Sequence, residues 1–263
     1  VPCDGRGIIN PADIRAAIRP DTQLIALTHA SNVTGALQPA AEVGAIAHEH
    51  GIPFLLDAAQ TLGDVPIDVA VLHVDLLAAP GHKGLLGPLG TGILYVRPGL
   101  EERVLPLRQG GTGTRSEEEF QPTSMPHRYE SGNHNVPGLV GLEASLAWLA
   151  ERGVDWVRQH QQELVNALLA GLRENPNVTL YGPESAQDRV GVVSLNVAGY
   201  NPQELAGGLD AAYRIQTRAG LHCAPRMHRS LGTLATGGTL RVSVGPFNTA
   251  EHIEAFLAAL REL

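Results

Sequence analysis

Residues 54–60 read Phe-Leu-Leu-Asp-Ala-Ala-Gln, a short apolar run that ends on an acid. A continuous apolar run of this length is typical of a strand buried on both faces of a parallel sheet. Ligands of such sheets bind just past the carboxyl ends of the strands. At a buried strand end, Asp57 would need a cationic partner to offset the cost of its burial. Taken alone, the position also fits a turn or helix N-cap aspartate.

Apolar runs and helical patterns alternate through the first half of the chain. This alternation indicates βαβ units and a mainly parallel sheet. The predicted strands are 24–27, 54–56, 74–77 and 93–96, and the predicted helices are 11–18, capped by Asn10, and 38–50, stopped by Gly51. The fold class is therefore α/β, with helices flanking the sheet.

The second half is richer in helices and then in strands. A polar stretch, 109–135, predicts a long loop, which in compact domains is usually functional or mobile. Helices are predicted at 136–152, 154–174 and 250–263, and strands at 192–195 and 240–243. We expect a boundary near residues 148–155, between a large domain (1–150) and a smaller C-terminal α+β domain (151–263).

Composition excludes several classes of function. The net charge of −8 leaves no clustered basic surface for nucleic acid. No apolar run is long enough to predict a membrane-spanning helix, and residues 1–5 do not have the pattern of a signal peptide. Two cysteines, Cys3 and Cys223, cannot form a disulfide framework or a thiolate metal site, and they suit a reducing cytosol. A cytoplasmic protein without a metal is expected.

A lysine between glycines follows the predicted strand 74–77. Residues 80–84 read Pro-Gly-His-Lys-Gly, and glycine lets a backbone approach a ligand closely. An amine in such a cleft can form a Schiff base. A solvent-facing loop is the commoner setting for a lysine. Because Asp57 and Lys83 follow neighbouring strands, however, both can face one ligand.

The second cysteine lies in a basic setting. Residues 218–225 read Arg-Ala-Gly-Leu-His-Cys-Ala-Pro, and an electropositive neighbourhood favours a thiolate. A lone cysteine is more often a small buried apolar residue. Here Gly220 and Pro225 indicate an exposed loop, which favours a reactive thiol at Cys223.

Taken together, these segments resemble the class V aminotransferase-fold enzymes, and among them the cysteine desulfurases and selenocysteine lyases. Each segment is weak alone, but they run in the family's order across nearly the whole chain. The matching segments are 28–35 (Thr-His-Ala-Ser-Asn-Val-Thr-Gly), 57–60, 81–83, 129–132 (Tyr-Glu-Ser-Gly), 218–225, and Arg241 with Asn248 and Thr249.

The resemblance implies fold type I of the enzymes that use pyridoxal 5'-phosphate (PLP), and it implies PLP as the cofactor. Asp57 would pair with the pyridine nitrogen and keep it protonated, so that the ring acts as an electron sink. Gln60 would donate to the phenolic oxygen and His82 would contact the phosphate. Lys83 would carry the Schiff base, and Asn32 would hold the substrate or the phenolic oxygen.

The same resemblance implies L-cysteine as substrate and L-alanine as product. Arg241 would clamp the substrate carboxylate with its planar fork, and Arg218 is a further candidate for the substrate pocket. Cys223 would attack the substrate sulfur and keep it as a persulfide, for transfer to an acceptor protein that the sequence does not identify. His222 would either move a proton or serve only in packing.

Two positions depart from the family's pattern. Relatives commonly have a hydroxyl residue where this chain has Pro80, and proline offers the phosphate no donor. Relatives have a threonine where this chain has Asn133, whose amide can still donate to the phosphate of the partner subunit in a homodimer. The resemblance further implies an N-terminal segment, absent from this sequence, with a phosphate loop and an aromatic residue that stacks on the pyridine ring.

Two alternatives stay open. On the same scaffold, the chain could be a selenocysteine lyase, an epimerase or another β-eliminating PLP enzyme, although these need no nucleophile at Cys223. In a different class, it could be a non-catalytic fragment or assembly partner, although a scaffold has no use for a Schiff-base lysine.

Overall fold

The apolar runs of the first half form one four-stranded sheet, of which three strands are parallel. In the computed structural model, which describes residues 1–113, 115 and 117–262, the strands follow one another along the sheet in sequence order. They are β1 (Ile25–Thr28), β2 (Phe54–Asp57), β3 (Leu76–Pro80) and the antiparallel β4 (Gly92–Val96). The predicted α/β class with a mainly parallel sheet is confirmed.

Two helices precede and connect the first strands. Helix α1 (Pro11–Ala17) begins at the predicted cap, because the Asn10 side chain accepts a hydrogen bond from the Ala12 N–H. Helix α2 (Ala40–Glu49) is the crossover between parallel β1 and β2. It begins two residues later than predicted, because Gln38 instead exchanges side-chain hydrogen bonds with the backbone of residues 7 and 9.

The strand predicted at 74–77 is displaced along the chain. Strand β3 runs on to Pro80, which pairs with Gly92 of β4. Asp75, just before the strand, is held outside it by its side chain, which accepts the Phe54 N–H at 2.8 Å. The displacement moves the end of β3 directly against residues 81–84.

The second half forms an antiparallel sheet beside a set of helices. Helix α3 (Val136–Arg152) matches its predicted range, and α4 (Val154–Arg173) ends one residue before its predicted end. The two helices meet at Gly153, whose φ of 84° suits glycine. The sheet has the order β5-β6-β8-β7. The strands are β5 (Val178–Tyr181), β6 (Val192–Val197), β7 (Arg218–Gly220) and β8 (Thr239–Ser243). The helices that follow α4 are α5 (Pro202–Tyr213), α6 (Pro225–Ser230) and α7 (Ala250–Glu262).

Several of these elements differ from the sequence prediction. Residues 218–225 were expected to form a loop, but the first three form β7 and the last begins α6. A three-residue edge strand and a six-residue helix are too short to show a period. The predicted helix 250–263 is present to Glu262, and Leu263 lies outside the described residues.

Two main hydrophobic cores follow the two sheets. The first packs α2 against β1, β2 and β3, and the second packs α4, α5 and α7 against β6 and β8. Helix α4 also contributes Val157 to a smaller core with Leu85, Leu142 and Leu149. The expected domain boundary at 148–155 contains Gly153, and the division into two domains stays a prediction. No helix among the described residues combines the length and the apolar character needed to cross a membrane.

Arg189 joins the two halves. Its side chain is only 1% exposed, and its Nη2 donates to the carbonyls of Thr34, after β1, and Tyr181, at the end of β5. Burial, with a smaller effect of Arg173, lowers the pKa of this guanidinium to about 10. One guanidinium group therefore satisfies a carbonyl in each half of the chain, and the stability of this region depends on it.

We expect Arg189→Met to lower the free energy of unfolding by about 2 kcal/mol, because two carbonyls lose a charged donor while the volume is largely kept. The urea unfolding midpoint, followed by circular dichroism, measures the change. The exposed Arg173 donates to one carbonyl, that of Glu184, and Arg173→Met should cost less than about 0.5 kcal/mol. Equal stability of the two variants would contradict a joining role for Arg189.

Candidate active site

A cavity of about 470 Å³ is lined by residues of both halves of the chain. The first sheet contributes the turns after β2 and β3, and the second contributes β7, β8 and the turn before α6. Most of the side chains predicted from sequence meet here, namely Asn32, Gln60, Lys83, Arg218, His222, Cys223 and Arg241.

Lys83 lies on a tight turn directly after β3. The turn is closed by hydrogen bonds from Gly87 N–H to the Gly81 carbonyl, 2.7 Å, and from Leu86 N–H to the Lys83 carbonyl, 2.8 Å. Gly84 lies so close to the preceding turn that a Cβ would be 2.5 Å from the Leu62 carbonyl oxygen. Lys83 itself is exposed on the cavity side, and it is the only lysine in the chain.

Asp57 lies at the end of β2, but it is exposed rather than buried. Phe54 and Leu56 point into the core, and the alternation of the strand turns Asp57 away from it. The expectation of a buried acid is therefore wrong, and its carboxylate accepts the Ala59 N–H at 3.0 Å, as in a turn. Asp57 lines an adjoining cavity of about 560 Å³, and Ala59 lines both cavities.

The two arginines are placed by strand register. Arg218 of β7 and Arg241 of β8 are direct partners across the antiparallel pair, so both reach the same cavity. Arg241 Nη1 donates to the Asn32 carbonyl at 3.0 Å, and its buried Nε has no partner among the described residues. Burial, and then the neighbouring Arg218, lowers the pKa of Arg241. Two guanidinium groups in one cavity are suited to an anionic ligand such as a carboxylate.

Cys223 lies at the tip of the turn between β7 and α6. Both His222 and Cys223 are in the left-handed region, with φ of 48° and 61°, which is costly for residues other than glycine. The thiol is free and exposed, as predicted, and its Sγ accepts from Arg218 Nη2 at 3.5 Å. Its role as a nucleophile stays a prediction.

His222 is held from several sides. The ring is 2% exposed, and Nε2 lies 3.1 Å from the Thr239 carbonyl oxygen and 3.0 Å from its hydroxyl. The His222 carbonyl accepts from Asn32 Nδ2 at 2.6 Å. Burial, then Arg241, lowers the pKa of His222 to about 4. A ring that stays neutral near pH 7 favours positioning of the cysteine turn over proton transfer.

Two predicted residues lie outside this arrangement. His82 is exposed beside Lys83, and Asn133 is exposed three residues before α3 begins. Neither lines the two cavities described above. Their suggested contacts with a phosphate stay predictions.

The structure adds two residues that sequence reasoning missed. Asp64 and Gln161 both line the main cavity and are joined by a 2.8 Å hydrogen bond from Gln161 Nε2 to Asp64 Oδ1. A signal for Gln161 existed, because it is a polar residue on the apolar face of α4, between Val157 and Leu164. Asp64 had a weaker signal, four residues after Gln60 in the same turn.

Comparisons with known proteins identify the family of this chain. The sequence profile described as aminotransferase class-V matches residues 1–256. A protein of Methanothermobacter thermautotrophicus named "Probable cysteine desulfurase" is 35% identical over the full chain, and a cysteine desulfurase of Escherichia coli O157:H7 is 34% identical. The chain spans 66% and 64% of those two proteins.

Solved structures give the same result. The apo structure of a cysteine desulfurase from Thermococcus onnurineus has 35% sequence identity and a TM-score of 0.91. The alignment covers 100% of this chain and 64% of that one. The fold is therefore that of solved cysteine desulfurases over about two thirds of their length.

The buried His222 predicts a dependence of stability on pH. Its pKa in the folded chain is below the ordinary histidine value of 6.5, so its contribution is complete above pH 6.5 and is lost as the pH falls towards 4. The loss should be about 3 kcal/mol. We expect His222→Gln, whose amide can still donate to Thr239, to remove this share of the pH dependence of urea unfolding.

His29 provides the matched comparison. Burial also lowers its pKa to about 4, and it bonds Thr61 away from the arginines. His29→Gln should remove a separate part of the pH dependence of the free energy of unfolding, and the double variant should lose the sum of the two parts. A pH profile of His222→Gln identical to that of the parent would contradict a buried neutral His222.

Proposed function

This chain belongs to the class V aminotransferase family, and we propose that it carries the reactive residues of a PLP-dependent cysteine desulfurase. One observation carries the proposal: Lys83, Arg241 and Cys223, from three separate parts of the sequence, line one cavity. An amine, a carboxylate receptor and a thiol are the groups that removal of sulfur from L-cysteine requires.

The residues present are suited to hold PLP. Lys83 would hold it through its amine, and the exposed Asp57 carboxylate is an acceptor for the pyridinium N–H. Gln60 is half-buried on the same turn and can donate to the phenolic oxygen. Ala59 lines both cavities between Asp57 and Gln60, and its small methyl side chain leaves the space between them open. When bound, PLP supplies an electron sink for the carbon atoms of the substrate.

Arg241 and Arg218 would orient the substrate. The planar guanidinium of Arg241 can bind a carboxylate through two N–H groups. A substrate carboxylate held there would leave the amino group and the α-carbon to face Lys83 across the cavity. Lys83 Nζ would then take the α-proton as a general base.

Cys223 would take the sulfur. Its thiolate forms a bond to the substrate sulfur as the C–S bond breaks, and the electron pair of that bond stays with the carbon. Protonation of this carbon gives L-alanine, and Cys223 is left as a persulfide. Arg218, 3.5 Å from Sγ, would stabilise the thiolate before the attack.

We further propose a homodimer in a reducing compartment such as the cytoplasm, with an acceptor protein for the persulfide sulfur. Support for a dimer comes from exposed apolar side chains on α3 and in the preceding loop, namely Val136, Leu139, Val140, Leu105 and Leu107. Support for a reducing compartment comes from the two free cysteines.

The single lysine permits a direct test of the cofactor. We expect the purified protein with PLP to absorb at roughly 410–430 nm and, after borohydride reduction, to carry one pyridoxyl group on the peptide of Lys83. Lys83→Ala should lose both signals. Lys83→Arg keeps the charge but has no reactive amine, so it should lose them as well. Labelling of the α-amino group alone would contradict the assignment of Lys83 as the residue that binds PLP.

The two cysteines test the sulfur transfer. With PLP and L-cysteine, the parent should release alanine and form an alkylatable persulfide on the peptide of Cys223. Cys223→Ser should lower alanine release about a hundred-fold or more, whereas Cys3→Ser should behave as the parent. Undiminished alanine release by Cys223→Ser would overturn the mechanism. If Cys223→Ser still cleaves selenocysteine rapidly and cysteine slowly, the lyase alternative is favoured.

A further inference from the structure

A half-buried acid and a buried amide line the same cavity as Lys83, and the proposed reaction uses neither of them. Asp64 lies in the turn after β2, and Gln161 lies on the inner face of α4. The Gln161 side chain is 2% exposed and lines the cavity together with Lys83 and Gly84. A buried amide on the apolar face of a helix, such as Gln161, is costly unless its polar atoms have partners.

The pair has two acceptors to spare. Gln161 Nε2 donates to Asp64 Oδ1, but Gln161 Oε1 is buried and has no hydrogen-bond partner among the described residues. Within that same part of the chain, no donor reaches Asp64 Oδ2 within hydrogen-bond distance, whereas Oδ1 has one. Two unpaired acceptors on one wall point to a ligand or side chain that carries several donors.

The turn of Lys83 is in contact with this pair. A Cβ added to Gly84 would lie 2.8 Å from Asp64 Oδ2, so the carboxylate packs directly against the residue after Lys83. The six ion pairs found among the described residues do not include Lys83. A lysine ammonium has three donors and a side chain long enough to turn within the cavity.

The charged surroundings of Asp64 come from α4 and from the lysine turn. Burial raises the pKa of Asp64 to about 6, while the Gln161 hydrogen bond and the Arg158 guanidinium act in the opposite direction. Arg158 is itself bonded to the carbonyls of Gln187 and Arg189. Asp64 is therefore ionised at neutral pH and becomes neutral just below pH 6.

We propose that Asp64 is a positioning residue for Lys83, and that its carboxylate, together with Gln161 Oε1, receives the Lys83 ammonium whenever that amine is free. The inference deepens the proposed function, on which its purpose rests, by naming where the amine is held between reactions. Holding it there keeps Lys83 at the cavity wall and limits its rotamers. Below about pH 6, the neutral Asp64 no longer attracts it.

The single lysine again gives a direct readout. When the protein is produced with ¹³C-labelled lysine, only Lys83 carries the label, and its ε-carbon resonance can be followed between pH 4.5 and 8 without PLP or cysteine. We expect an inflection near pH 6 in the parent, since that resonance would report the titration of Asp64. Asp64→Glu should keep the inflection and Asp64→Asn should abolish it.

Two further variants complete the test. Asp68→Asn changes an exposed acid four residues away, whose carboxylate only accepts the N–H groups of Ala70 and Val71, and it should leave the inflection unchanged. Gln161→Met removes the hydrogen bond that lowers the pKa of Asp64, and it should move the inflection to higher pH. This variant also serves if Asp64→Asn does not fold.

Absence of the inflection in the parent, or an equal inflection in Asp64→Asn, overturns the proposal. The two proposals fail separately, because this measurement contains neither cofactor nor substrate. Pyridoxyl labelling of Lys83 without the inflection would reject only the role of Asp64. An inflection without labelling would reject only the PLP assignment.

Discussion

Three consecutive carbonyls after β1 each accept a hydrogen bond from a side chain of the second half of the chain. Asn32 accepts from Arg241 at 3.0 Å, Val33 accepts from Ser194 at 2.6 Å, and Thr34 accepts from Arg189. Carbonyls of a buried segment are costly when unpaired, and here the second sheet satisfies them. The main cavity lies between the two sheets that these hydrogen bonds connect. Neither sheet alone has both the lysine and the arginines.

A second constraint acts between the turns after β2 and β3. Gly63, with φ of 94°, lies so close to Gly84 that a Cβ would be 2.2 Å from the Gly84 carbonyl oxygen. Only glycine permits this approach. Parallel strands bring two turns to one edge of a sheet, but contact between their backbones is what aligns Lys83 with Gln60 and Asp64. Gly84, which in sequence only flanks a lysine, is a structural requirement as well, because a Cβ there would meet the Leu62 carbonyl oxygen.

Sequence reasoning succeeded where chemistry is local and failed where it depends on tertiary contacts. Apolar runs of a few residues predict the buried strands, and a local capping pattern predicts the role of Asn10. The helical spacing of apolar residues predicts α3 and α4. The exposure of Asp57 did not follow, because a four-residue strand does not reveal which of its faces meets the core at its last residue. The burial of His222 depends on Thr239 and Asn32, which are far away in sequence. Strand β7 is defined only by its pairing with β8.

The cationic arginines and the acidic Asp64 of the cavity belong to different sheets. Arg218 and Arg241 lie on the second sheet, and Asp64 lies in a turn of the first sheet. An amino acid is a zwitterion, and it is oriented by a field that has cations at one end and an anion at the other. The carboxylate end would then lie near the arginines and Cys223, and the ammonium end near Lys83 and Asp64. When the substrate ammonium takes the place of the Lys83 ammonium, the net charge at this end of the cavity does not change. The field can therefore orient the substrate before any bond is formed.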